Sequence, residues 1–209
     1  MDIAITTLFL QAAGVGLLIA APVGPIGLLT IQRTLQRGQL AGLATGLGAA
    51  AADAVYGAVG AYGVQGLIAW LSGARVPLAL GGGVLLLWLA WQTWRAPTHG
   101  TQAAQTRDAR GLLGLFAGTF VLTLSNPATI LSFIAVFGAL AAGVAKAPSP
   151  ALLVLGVMLG SAAWWLLLTA VVALVRQRFT SAWRRRVNQG SALLLAGFAL
   201  MQGWTVLAG

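Results

Sequence analysis

The chain has 209 residues, of which 59% are apolar and 7% charged, with 12 basic and 3 acidic side chains giving a net charge of +9. So few charges cannot cover a water-soluble domain, where charged residues make up ~25%, and the length suits one membrane domain rather than two soluble ones. Cysteine is absent and the single histidine, His99, lies in a polar stretch, which excludes disulfides and thiolate or histidine metal clusters, so no cofactor and no metal are expected.

Six apolar blocks follow one another at 3–31, 40–68, 76–94, 112–142, 151–175 and 191–207. A helix needs ~20 residues to cross ~30 Å of hydrocarbon, so each block can span a bilayer once. The N-terminus is apolar from Ile3, but Asp2 stands where a signal peptide carries positive charge, so the first block reads as a retained span. The first and fourth blocks are long and contain Pro22, Pro25 and Pro127, and each is expected to break near its middle. Trp70, Trp94 and Trp204 fall near block ends, where aromatic belts sit.

Basic residues set the orientation. Arg33 and Arg37 follow the first block, Arg95, Arg107 and Arg110 the third, and Arg176, Arg178, Arg184, Arg185 and Arg186 the fifth; Arg75 and Lys146 lie on the other side. Positive charge stays in the cytoplasm, so both termini are expected outside the plasma membrane. Basic side chains spread through short inter-block loops do not form a DNA-binding face, so no nucleic-acid partner is expected. The run Trp183-Arg184-Arg185-Arg186 anchors topology or meets anionic lipid headgroups.

The fold expected is an all-α, polytopic membrane bundle forming a single domain, 1–209. Its one long polar stretch, 95–110, separates residues 1–94 from 111–209. With three spans in each half the halves have opposite orientation, so similarity between them means an inverted repeat. Residues 21–30, with Gly24 and Pro25, align with 123–132, with Asn126 and Pro127, and Gly46 matches Gly156 after a short insertion.

Asp53 is the sharpest feature, the one acidic residue inside an apolar block. A carboxylate at mid-bilayer costs about 2.5–3.5 kcal/mol on insertion scales. Gly42, Gly46, Ala50, Gly57 and Gly60 share its helical face, so this face packs against a helix or a cavity. The group is read as a proton carrier or a counter-charge for a substrate ammonium; a structural hydrogen bond to a neighbouring helix is the plainer alternative. Gly24-Pro25 and Asn126-Pro127 are helix-start signals, a cap followed by proline at the first helical position. In mid-membrane each would aim free N–H groups and a positive dipole end into the protein, suiting a carboxylate; simple proline kinks are the alternative. Gly81-Gly82-Gly83 lacks the Lys-Ser/Thr of a phosphate loop and reads as close helix packing. Trp164 and Trp165, in mid-block, either line a cavity or pack between helices.

These residues resemble the lysine-exporter (LysE/RhtB) family of amino-acid exporters. The likeness runs through Pro22-Val-Gly24-Pro25, Arg37-Gly38, Gly42, Gly46 and Gly48 to Asp53 and Gly57, and then Asn126-Pro127. One departure is Ala128, where the family often has lysine. The resemblance implies a secondary transporter, not an enzyme, that exports amino acids or similar metabolites by proton antiport. Its partners would then be a small-molecule substrate, the proton and membrane lipid, and the glycine-rich faces leave room for a homodimer. A membrane cation exporter or an assembly scaffold stay open as alternatives. An intramembrane enzyme would need a second catalytic group that the apolar blocks do not offer.

Overall fold

A computed structural model describes residues 2–22, 24–62, 73, 75–95, 109–126, 129–130, 132–133, 149–175 and 181–207. These residues form seven helices and no strand: α1 (Asp2–Ala20), α2 (Pro25–Arg37), α3 (Gln39–Ala61), α4 (Arg75–Arg95), α5 (Ala109–Leu124), α6 (Pro150–Val175) and α7 (Ser181–Leu207). Among them α6 is, as a single helix, long and apolar enough to cross a membrane, and α1 with α2 pass the same criterion as a bent pair.

Two helix boundaries follow from local chemistry. Gly24 caps α2 in an extended conformation and Pro25 occupies the first turn, where its missing N–H is no loss. The axes of α1 and α2 differ by 80° across this point. At the other end Gly38 has φ 102°, a conformation that costs a residue with a side chain. That one residue separates α2 from α3, so the chain reverses without a loop.

Two stretches read as loops are helical. α2 continues beyond the apolar block to carry Arg33 and Arg37, and α7 begins at Ser181, so Arg184, Arg185 and Arg186 lie in its first turns. The physical reason is that hydropathy marks where the hydrocarbon ends, whereas a helix ends where its hydrogen-bond ladder is interrupted.

The packing is inside-out relative to a soluble protein. Thr30, Thr34, Thr45, Thr119, Thr123, Ser161 and Thr169 are all buried, while Leu18, Val84, Leu174 and Trp204 are about 70–80% exposed. The buried threonines largely satisfy themselves: Thr34, Thr45, Thr119, Thr123 and Thr169 each donate to the carbonyl one turn back. An apolar exterior around a hydroxyl-lined interior is the arrangement that a lipid solvent favours.

α6 packs against α1 and α3, α3 also against α5 and α2, and α4 against α7. Small residues set the closest approaches. A Cβ on Gly16, Gly156 or Gly160 would overlap the facing α1 or α6 backbone, and one on Gly48 would overlap the Phe116 carbonyl of α5. Along α3 and α6 the partners run antiparallel: Gly42 lies against Thr169, Gly46 against Trp165, Asp53 against Ser161 and Gly57 against Val157. Gly83 faces Ala199 of α7 at ordinary contact distance, while Gly81 faces open space.

Candidate functional site

The α3–α6 seam places Asp53 in the interior, 4% exposed. Ser161 donates its hydroxyl to Asp53 Oδ2 at 2.7 Å, and the Trp165 indole N–H donates to Ser161 Oγ at 3.2 Å. Ser161 and Trp165, one turn apart on α6, thus form a relay of neutral donors ending on the carboxyl group. Gly46 makes the relay possible, because any side chain there would occupy the space of the Trp165 indole. Trp165 is therefore packed between helices and bonded, not exposed in a cavity.

Asp53 and Ser161 lie between two apolar clusters. The first joins Ala49, Ala50 and Trp165 to Ala20 and Ile26, which flank the Gly24-Pro25 break. The second joins Tyr56 and Val157 to Ile130 and Phe133, which follow Asn126. Tyr56, three residues beyond Asp53, donates its hydroxyl to the Leu124 carbonyl at 2.7 Å and stacks on Phe133 at 5.3 Å between ring centroids. The clusters on the two sides of the carboxyl group thus reach the α1–α2 junction and the residues that follow α5.

Gly24 and Asn126 are alike in their backbone bonds. Leu28 N–H donates to Gly24 O at 3.1 Å, and Ile130 N–H donates to Asn126 O at 3.2 Å. Each carbonyl accepts the first bond of a new helical turn, as a capping residue does. A Cβ built on Gly24 meets nothing within 4 Å, so the space before α2 is open. Pro127 and Ala128 lie outside the described residues, as does Trp70.

Ser161 and Tyr56 escaped the sequence reading, since a serine or tyrosine in an apolar block looks like ordinary packing. Position 161 does lie on one α6 face with Gly156, Gly160 and Trp165, a small-residue stripe that could have flagged it. Arg33 was missed for a different reason, its assignment to a loop. It reaches inward from α2, and its Nη1 donates to Thr45 Oγ1 and Thr119 Oγ1, both at 3.0 Å.

Helices with an apolar exterior and an interior that holds hydroxyls and a carboxyl group define an integral membrane protein. The LysE type translocator family model matches residues 17–202, and the chain belongs to that family. It is therefore a membrane-integral member of a family of translocators. Over 195 residues it is 30% identical to the "Chemotactic transduction protein ChpE" of Pseudomonas aeruginosa, covering 92% of this chain and 95% of that one. Over 196 residues it is 26% identical to the "Putative amino acid efflux protein YcgF" of Bacillus subtilis (strain 168), covering 91% and 93%. A 110-residue match, 34% identical, to the "Uncharacterized membrane protein YahN" of Escherichia coli (strain K12) covers 52% of this chain and about half, 49%, of that relative's length. No solved structure matches the chain.

Proposed function

We propose that this protein is a secondary exporter that moves amino acids or similar small metabolites out of a bacterial cell across the plasma membrane in exchange for protons. The observation that carries this reading is Asp53, a carboxyl group buried among neutral partners between two apolar clusters. Membership of a translocator family supports export, and the printed name of the Bacillus subtilis relative supports amino acids as cargo. A buried acid within a bilayer is a costly group, and such groups mark proton relays or substrate counter-charges.

In this mechanism the first and fourth spans are broken at Gly24-Pro25 and Asn126-Pro127, and their second halves begin near the middle of the bilayer. Freed N–H groups at both helix starts hold the substrate carboxylate, with Asp53 beside them to pair with the ammonium or to exchange the proton. An inverted repeat of residues 1–94 and 111–209 relates the two breaks. The pairing of helices supports it: α1 with α6 is answered by α5 with α3, while α3–α6 and α4–α7 each join corresponding members of the two halves. Rocking of one half against the other would expose the site alternately to each side.

Asp53→Asn tests the proposal in vesicles containing the purified protein. The amide keeps the shape and can still accept from Ser161, but it cannot lose a proton. If Asp53 carries the proton, export driven by a pH gradient fails while substrate exchange at equal pH continues; if it pairs with the ammonium, exchange fails too. Normal pH-driven export by Asp53→Asn would refute both roles.

A further inference from the structure

On the side of the bundle where α2 and α4 end and α5 begins, these helices line an open cavity of about 550 Å³. That volume falls in the range of small-molecule sites, ~300–1,000 Å³. Arg33, Arg37 and Arg95 all line it, together with Gln32, Gln36 and Gln92, and among the described residues no carboxylate lines it. Three guanidinium groups face one cavity with no acid beside them among the described residues, and Arg33 and Arg37, four residues apart on α2, repel each other directly.

The described neighbours position this charge without neutralising it. Arg33 bonds only neutral hydroxyls in the contacts described above, and Thr45 and Thr119 have already committed their protons to Ala41 O and Leu115 O. Their lone pairs orient the guanidinium but carry no charge to offset it. Arg37 Nε is buried and has no hydrogen-bond partner, a donor left waiting in a region where orphaned donors are costly. Arg95 rests on the Trp91 ring at 4.4 Å, which holds it at the rim. Gln32 and Gln36 are fixed in turn, one accepting from Thr93 at 3.0 Å and the other donating to Asn188 at 2.7 Å. Planar guanidinium groups with free donors match the paired oxygens of a carboxylate or phosphate.

We propose that this cavity is an oxyanion-capture vestibule, in which Arg33, Arg37 and Arg95 take the carboxylate of the cargo before it passes inward to Asp53. The proposal rests on the exporter reading and on the cytoplasmic placement of the basic helix ends. Thr45, which orients Arg33, lies eight residues before Asp53 on α3, roughly 12 Å at the rise of a helix, so capture and transport sites are separate stations on one path. The vestibule assigns a substrate class: solutes with a carboxylate and no added positive charge, acidic and neutral amino acids before basic ones. Lysine would bring its second ammonium against three arginines.

The test is binding of L-glutamate, L-alanine and L-lysine to the full chain in neutral-lipid nanodiscs, followed by tryptophan fluorescence, since Trp88 and Trp91 line the cavity. Saturable binding in the order glutamate, alanine, lysine, weakened by salt, is expected. Arg37→Gln and Arg95→Gln should each lower glutamate affinity tenfold or more, with unchanged helical circular dichroism, and Arg37→Lys should recover part of the loss. These two variants carry the test should Arg33→Gln fail to fold. Equal or tighter binding of lysine, or glutamate binding indifferent to Arg37→Gln and Arg95→Gln, would overturn the vestibule. A fluorescence change with phosphatidylglycerol in the nanodisc, and none with glutamate, would overturn it in favour of a lipid headgroup site. Glutamate bound in the expected order by a protein that moves no solute in vesicles would refute the exporter reading alone and leave the oxyanion site standing.

Discussion

Ser161→Ala removes one hydroxyl that makes two bonds, donating to Asp53 Oδ2 at 2.7 Å and accepting from Trp165 Nε1 at 3.2 Å. Ser161 is 0% exposed and Asp53 4%, so solvent does not restore what is lost. Hydrogen bonds between membrane helices average about 0.6 kcal/mol in double-mutant cycles, with a maximum of about 1.7 kcal/mol. The Asp53 bond is short and its acceptor can carry charge, which places it in the upper half of that range, about 1–1.7 kcal/mol. The longer bond within α6 adds about 0.5 kcal/mol. Ser161→Ala should therefore destabilise the protein by about 1.5–2 kcal/mol. Pairing it with Asp53→Ala isolates the bond across the seam, because the Trp165 contact is lost whether or not Asp53 is present. The assay is reversible unfolding in mixed micelles, followed by circular dichroism, for the original chain, both single variants and the double. A coupling of about 1–1.7 kcal/mol is expected. A coupling below ~0.3 kcal/mol, within the scatter of independent sites, would mean that Ser161 does not hold Asp53.

The glycines of α3 should differ sharply in tolerance. Gly48→Ala drives a methyl group into the Phe116 carbonyl and should lower stability by about 1–3 kcal/mol, whereas Gly57→Ala meets the Val157 side chain at 3.5 Å and should be neutral or gain up to ~1 kcal/mol of helix propensity; equal losses in thermal melting would contradict the close α3–α5 contact. Topology can be read with reporter fusions, expected to be cytoplasmic at Thr101 and external after Gly209, and a cytoplasmic C-terminus would overturn the orientation.

What could be read without coordinates was governed by local chemistry. The membrane class follows from how few charges the chain has to spend on water. The start of α2 at Pro25 follows from a glycine cap and a proline that cannot donate, and the burial of Asp53 follows from its place on a glycine face. Helix limits were less legible. Arg33 stands just past the apolar run yet stays on the same hydrogen-bonded ladder as Leu29, so a hydropathy boundary cut α2 short of its end at Arg37.

The sequence by itself determined the solvent of this protein, its family and the start of α2 at Pro25, because lipid preference, capping and proline geometry act over a few neighbouring residues. Tertiary structure alone decided which distant side chains meet. Ser161 reaches Asp53 across 108 positions, and Thr119 reaches Arg33 across 86. Those meetings depend on the register in which α3 slides against α6 and α5, and that register is set by where glycines let two backbones touch. Gly46 admits the Trp165 indole and Gly48 admits the Phe116 carbonyl. Many glycines in an apolar chain are equivalent until the helices are packed, and packing selects the few that bring a carboxyl group to a hydroxyl and an arginine to a cavity.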